Sequence, residues 1–178
     1  MKIIICGRKG SGKDSVADYL KSKYGGISIS FAEPLYDMMY FCQDRLGIPR
    51  HKDRKFLTTM GDHFRELDSN VFIDTCINEA NTFKYNNIYI PDGRYFNELD
   101  AGRDNGFFLI NIIASDENRQ KRRPNESIID SHSSENGYPD NYKFDITISN
   151  DSTLEDLYKV LDLFIETVVL KTRRINAV

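Results

Sequence analysis

The chain has 178 residues, 40% of them apolar and 29% charged, with a formal net charge of −3 and three cysteines. That length supports one well-buried core and is short for two full domains, while the acidic balance argues against a duplex-binding surface and allows only a local basic grip on a small anion. No leader pattern and no apolar run of bilayer length occur in the sequence, so a cytoplasmic protein is expected, with no membrane or nucleic-acid polymer as partner. Cys6, Cys42 and Cys76 are widely spaced in apolar patterns and are expected as buried free thiols, not as a bridge or a metal site.

The first element is an apolar run, Ile3-Ile4-Ile5-Cys6, followed by Gly7-Arg8-Lys9-Gly10-Ser11-Gly12-Lys13-Asp14-Ser15 and then by a helical pattern through Val16, Ala17 and Leu20. Strand, glycine loop and helix together make a phosphate-binding element. The glycines let the backbone curl with its N–H groups inward, the helix adds the positive end of its dipole, and Lys13 adds a full charge for terminal phosphates. Asp14 stands where a Ser or Thr usually meets magnesium, with Ser15 one place later. A carboxylate beside a polyphosphate either helps hold a divalent cation or weakens binding.

A second strand is expected over 27–31, and a helix from Pro34 to Gly47 with Leu35, Met38, Met39, Cys42 and Leu46 on its apolar stripe. Residues 50–65 are polar and basic, with two short helical patterns separated by Gly61. They read either as a solvated excursion or as a substrate-side insertion overhanging the loop. A further helix is expected from an N-cap at Ser69 through Ala80. The short strand 88–90 leads into Pro91-Asp92-Gly93-Arg94. An acidic residue at the carboxyl end of a buried parallel strand points into the crevice where the loop opens, so Asp92 is a candidate magnesium or water holder, or else a helix N-cap. Arg94 offers a planar fork for a phosphate, or else forms a surface ion pair.

A helix over 96–104 and an apolar strand over 107–114 precede Asp116-Glu117-Asn118-Arg119-Gln120-Lys121-Arg122-Arg123, acidic first and basic last as a helix dipole favours. Arg119 with Arg122 or Arg123 either clamps phosphates or simply complements that dipole. The polar, turn-rich residues 125–143, including His132, Ser134 and Glu135, read as a lid. A strand over 144–149, a turn at Asn150 and an amphipathic helix over 154–170 complete the chain, with a frayed tail over 171–178. Five apolar strands alternating with helices predict a three-layer α/β/α fold on a five-stranded parallel sheet.

Together the loop Gly-Ser-Gly-Lys-Asp-Ser, the stretch Asp92 to Glu98, the basic helix through Arg119, the His132-Ser133-Ser134-Glu135 run and the closing Asn150 to Leu157 resemble the bacteriophage-type deoxynucleoside monophosphate kinases, of the P-loop nucleoside monophosphate kinase fold. The resemblance implies one P-loop kinase domain over 1–178, with an acceptor-binding helical insertion at about 32–83 and a lid at about 119–143. It implies transfer of the γ-phosphoryl group of ATP, with Mg2+, to a deoxynucleoside monophosphate. Gly10, Ser11, Gly12 and Lys13 would hold donor phosphates, Asp14, Ser15 and Asp92 the metal, and Asn150 the turn that holds the donor's adenine. Arg94, Arg65 and Phe31 would meet the acceptor, with Gly93 leaving the reach of Arg94 open. Arg119 and Arg123 would act as lid-type charge stabilisers, with a shift by one residue to Arg122 open, and dimerisation also stays open. Two alternatives remain: a phosphomevalonate kinase-like enzyme, whose family shares the Gly-Lys-Asp loop, and an ATP-binding regulatory protein with no small-molecule acceptor.

Overall fold

The computed structural model describes residues 1–84, 87–125 and 141–171. The lid residues His132, Ser134 and Glu135, and nearly all of the expected frayed tail, lie outside them. The described chain divides into two compact units, residues 1–28 with 84–178, and residues 29–83.

The first unit is built on five parallel strands: β1 (Lys2–Cys6), β2 (Ile27–Ser28), β3 (Ile88–Gly93), β4 (Phe108–Ile113) and β5 (Ile146–Ser149). Their order across the sheet is β2-β3-β1-β4-β5. The central strand β1 is flanked on both edges and needs cover on both faces, which is why Ile3, Ile4, Ile5 and Cys6 are all fully buried. Strand alternation sorts them. Ile3 and Ile5 join Val16 and Leu20 of α1 (Lys13–Tyr24) and Leu157 and Leu161 of α7 (Leu154–Phe164) in one core, which a π-helical turn (Ile165–Val169) extends. Ile4 faces the other way, toward α5 (Phe96–Asp104), where an added Cβ on Gly102 would stand 2.2 Å from its Cδ1. Helices thus cover both faces of the sheet, giving the three-layer α/β/α arrangement.

The second strand is shorter than expected, two residues instead of five, and β3 is longer, running through Pro91 and Asp92 to Gly93. Gly93 is not a permissive hinge. An added Cβ there would lie 2.5 Å from Ile4 Cγ2, 3.0 Å from Cys6 Sγ and 3.1 Å from Leu99 Cδ2, so the position excludes any side chain.

The second unit consists of α2 (Glu33–Leu46), α3 (Arg54–Leu67) and α4 (Val71–Thr82). The apolar stripe of α2 differs from the expected one: Leu35, Met39 and Gln43 are buried, Cys42 is exposed and Leu46 is 71% exposed. Gln43 is tolerated inside because its amide is satisfied twice, donating to His51 O at 2.9 Å and accepting from His51 N at 3.0 Å. Residues 54–67 form one helix, not two patterns. Gly61 sits within it, where an added Cβ would lie 3.3 Å from Leu35 Cδ1 of α2 and 3.0 Å from the Arg65 guanidinium. The helix is capped at Asp53, which accepts from Phe56 N at 3.0 Å. The α4 helix begins one residue later than expected, after an N-cap at Asn70.

One polar knot ties the first and last helices of the sheet unit. Asp162 accepts from Tyr19 at 2.7 Å and from Tyr24 at 3.1 Å, and pairs with Lys23 at 2.6 Å. The Tyr19 ring also stacks on Tyr158 at 3.9 Å between centroids. Burial of Asp162 opposes ionisation, but the bonds from Lys23, Tyr19 and Tyr24 outweigh it and hold the carboxyl below its usual value. A carboxyl lowered in the folded state contributes stability above its unfolded pKa of about 3.9, a contribution lost as pH falls through the lowered folded value. Asp162→Asn should therefore lower urea-unfolding stability by about 1–2 kcal/mol at neutral pH, and that difference from the parent should shrink progressively below pH ~4.

Candidate active site

Parallel pairing brings the carboxyl ends of the strands to one edge of the sheet, where the phosphate loop leaves β1. Cys6 pairs with Gly93 on one side and with Asn111 on the other. The loop's turn is made by Gly7, Gly10 and Gly12, all in the left-handed region at φ 134°, 81° and 105°. Gly12 directly precedes α1, so the helix N-terminus adjoins the loop. Lys13 is buried, and its ammonium donates to Arg8 O at 3.3 Å, which folds the side chain back over the loop it follows.

Asp14 is exposed and Ser15 half-buried on the first turn of α1, while Asp92 is half-buried on β3. Electrostatics link Asp92 to Lys13 through Cys6. Burial pushes the Cys6 thiol far up, Glu98 pushes the same way, Lys13 pulls it down and Asp92 raises it. Cys6 is therefore a protonated packing residue beneath the loop, and Lys13 and Asp92 act on one spot from the ends of neighbouring elements. Among the described residues, no group of three or more His, Cys, Asp or Glu side chains could hold a metal ion. Asp14, Ser15 and Asp92 offer hard oxygen atoms, a donor set that suits a magnesium ion completing its shell with phosphate and water but not a closed protein cage.

Asp92 is not the cap of α5. That task falls to Glu98, a residue the sequence reading left unassigned, whose buried carboxylate accepts from Arg94 N at 2.8 Å and Tyr95 N at 3.0 Å. The signal was a Glu three residues past the N-cap, obscured because the cap position holds Tyr95 instead of Ser, Thr, Asp or Asn. Glu98 so fixes the backbone from which the half-buried Arg94 projects. Phe31 and Arg65 belong to the helical unit. Phe31 is 1% exposed and serves as a packing residue, and the Arg65 guanidinium lies over the Phe72 ring at 4.9 Å.

The basic helix α6 (Asp116–Arg122) starts from an N-cap at Ser115, whose hydroxyl accepts from Asn118 N. Asp151, another residue missed in sequence, accepts from Ser115 N at 2.7 Å and Asn118 Nδ2 at 2.9 Å, and these bonds keep its carboxyl well below the usual range. Arg119 is 4% exposed, with Nε donating to Lys9 O at 2.8 Å and a terminal nitrogen 2.6 Å from Asp116. As placed, it braces the loop instead of standing open to solvent as a lid arginine would. Arg122 donates to Gly10 O, Ser11 O and Asn150 O, whereas Arg123, half-buried, is the residue that caps the helix. Asn150 is also turned inward: its side chain is 1% exposed and Nδ2 donates to Ser11 O at 2.8 Å. Its side chain thus supports the phosphate loop. Ser11 Oγ and Asn150 Oδ1 are the buried side-chain atoms without a hydrogen-bond partner among the described residues.

A positive-φ glycine loop between the central strand and a helix, with a lysine on the helix's first turn and polar residues at the neighbouring strand ends, defines a P-loop fold. Solved structures share the fold: TT1252 of Thermus thermophilus aligns with a TM-score of 0.59 at 18% identity over 94% of this chain and 98% of its own. Shikimate kinase of Aquifex aeolicus vf5 aligns with a TM-score of 0.57 at 19% identity over 96% of this chain and 99% of its own. The chain belongs to the deoxynucleotide monophosphate kinase family, whose model matches residues 54–161. Among viral relatives, a protein of Acanthamoeba polyphaga mimivirus, provisionally named a deoxynucleotide monophosphate kinase, is 28% identical over 86% of this chain and 90% of its own. The uncharacterised protein ORF77 of Ictalurid herpesvirus 1 (strain Auburn) is 31% identical over 85% of this chain, which spans 64% of that protein's length. No helix among the described residues is long and apolar enough to cross a membrane.

The loop geometry makes a direct test available. An added Cβ on Gly12 would stand 2.4 Å from Asn150 Nδ2, at a φ that side chains rarely adopt. Strain of about 1–3 kcal/mol at such a site corresponds to roughly ten- to hundredfold in binding. Gly12→Ala should weaken inorganic tripolyphosphate, measured by calorimetric titration, by about that factor while the far-ultraviolet circular dichroism of the parent is retained.

Proposed function

We propose that the protein transfers the γ-phosphoryl group of ATP to a deoxynucleoside monophosphate, yielding ADP and the deoxynucleoside diphosphate. One observation carries this reading: the phosphate loop after β1 and the Asp92–Arg94 segment at the carboxyl end of β3 stand on paired strands in a chain of the deoxynucleotide monophosphate kinase family.

In this reading the loop's N–H groups and the α1 dipole bind the donor's phosphates, and the Lys13 ammonium follows the charge that develops as the terminal phosphoryl group moves. An oxygen of the acceptor's phosphate attacks the γ-phosphorus as the bond to the ADP oxygen breaks. The nucleophile is already an anion, so no strong base is required, and the work is positioning and charge neutralisation. Arg94, set by the Glu98 cap, grips the acceptor's phosphate with its planar fork. Asp14, Ser15 and Asp92 would hold Mg2+, which when bound neutralises phosphate charge. Arg123, the cap of α6, is the arginine assigned to the transferring group, while Arg119 supports the loop from behind. The turn at Asn150 borders the donor's base. The reading places the reaction in the cytoplasm.

Two variants test the assignment. Lys13→Ala should lower kcat by a factor on the order of 10² or more with the fold intact, and near-parental turnover would remove the loop from the mechanism. Arg94→Lys keeps the charge and loses the fork, so the acceptor KM should rise while ATP affinity by direct titration stays at the parent value. Coupled ADP release against a panel of deoxynucleoside monophosphates, nucleoside monophosphates and phosphomevalonate ranks the acceptors. Turnover that depends on phosphomevalonate alone, or on no acceptor, would overturn the proposal.

A further inference from the structure

The carbonyl side of the phosphate loop is held by side chains from another element, while the Ser11 N–H closes a turn onto Arg8 O at 3.0 Å. When three positive-φ glycines turn the loop's N–H groups inward, its carbonyls turn outward, and an outward carbonyl needs a donor to hold that orientation. Three consecutive ones are met by α6. Lys9 O accepts from Arg119 Nε at 2.8 Å, and Gly10 O and Ser11 O accept from one terminal nitrogen of Arg122 at 3.2 and 3.5 Å. Helical spacing explains the pairing, since positions three apart share a face.

The two arginines differ in charge balance and in reach. Arg119 is buried against the Asp116 carboxylate at 2.6 Å, so its charge is largely cancelled. Arg122 bonds only neutral carbonyls and forms no ion pair among the described residues, so its charge stays whole beside the loop. Its other terminal nitrogen donates to Asn150 O, whose side chain in turn donates to Ser11 O at 2.8 Å. Ser11 O is therefore held from two sides, and a single guanidinium joins α6, the phosphate loop and the turn after β5.

We infer that Arg122 is the positioning residue of the donor site: it clasps the phosphate loop to the Asn150 turn and keeps the loop's anion nest formed before the nucleotide arrives. The inference rests on ATP as donor. A preformed nest removes an ordering cost from donor binding and leaves acceptor binding untouched. A lysine preserves the charge but cannot span three carbonyls in one plane.

The test is titration of ATP and of inorganic tripolyphosphate into the parent, Arg122→Ala and Arg122→Lys, with steady-state kinetics on each. Arg122→Ala should weaken both ligands about tenfold or more, with the acceptor KM within about twofold of the parent and the thermal midpoint little changed at this exposed residue. Arg122→Lys should recover only a minor part of the loss. Parental affinity in Arg122→Ala, an equal loss for donor and acceptor, or full recovery by lysine would each overturn the clasp. If the parent binds tripolyphosphate but not ATP, the donor assignment fails, and the clasp is then judged on the tripolyphosphate ratio by the same tenfold criterion.

Discussion

Everything in this fold's chemistry depends on holding one short loop in a conformation that most residues avoid. Gly7, Gly10 and Gly12 occupy the left-handed region, and at each the surroundings leave little or no room for a Cβ: the nearest atoms are Ile112 O at 2.2 Å, Arg119 O at 3.1 Å and Asn150 Nδ2 at 2.4 Å. The constraint is mutual. Glycine permits the turn, and the absence of side chains lets β4, α6 and the β5 turn close in behind it. Those neighbours supply donors to the carbonyls of Lys9, Gly10 and Ser11.

The elements around the loop are placed to serve it. Parallel strand pairing sets Gly93 beside Cys6, and the same close packing that excludes a side chain at Gly93 brings Asp92 and Arg94 to the edge where the loop emerges. Glu98 then secures the turn into α5 with two backbone N–H groups. A buried carboxylate with both bonds made costs little, and it holds a segment that carries function. Asp151 does the equivalent on the opposite side of β1, tying the start of α6 to the turn after β5.

The charge pattern separates tasks among residues of one type. Of the α6 arginines, Arg119 is neutralised by Asp116 and buried, whereas Arg122 is exposed and, among the described residues, bonds carbonyls alone. Position along a helix of seven residues thus decides whether a guanidinium is a strut or a source of positive potential. The same holds in the helical unit, where Arg65 lies over Phe72 while Arg50 pairs with Asp44 and covers Tyr40.

By itself the sequence determined the features that depend on neighbours in the chain. The strand-loop-helix start, the two-sided burial of β1 and β4, the bounds of α5 and the acidic-to-basic order of α6 all follow from local periodicity, glycine placement and dipole preference. Tertiary structure decided what depends on partners far away. Arg119 and Arg122 meet carbonyls more than a hundred residues earlier, Asn150 turns its amide inward to Ser11 O, and Gln43 takes an apolar position on α2 because His51 satisfies it. Periodicity reports which face of a helix is apolar. It carries no information about which distant carbonyl lacks a donor, and in this protein that unmet hydrogen-bonding demand selects the residues that brace the phosphate loop.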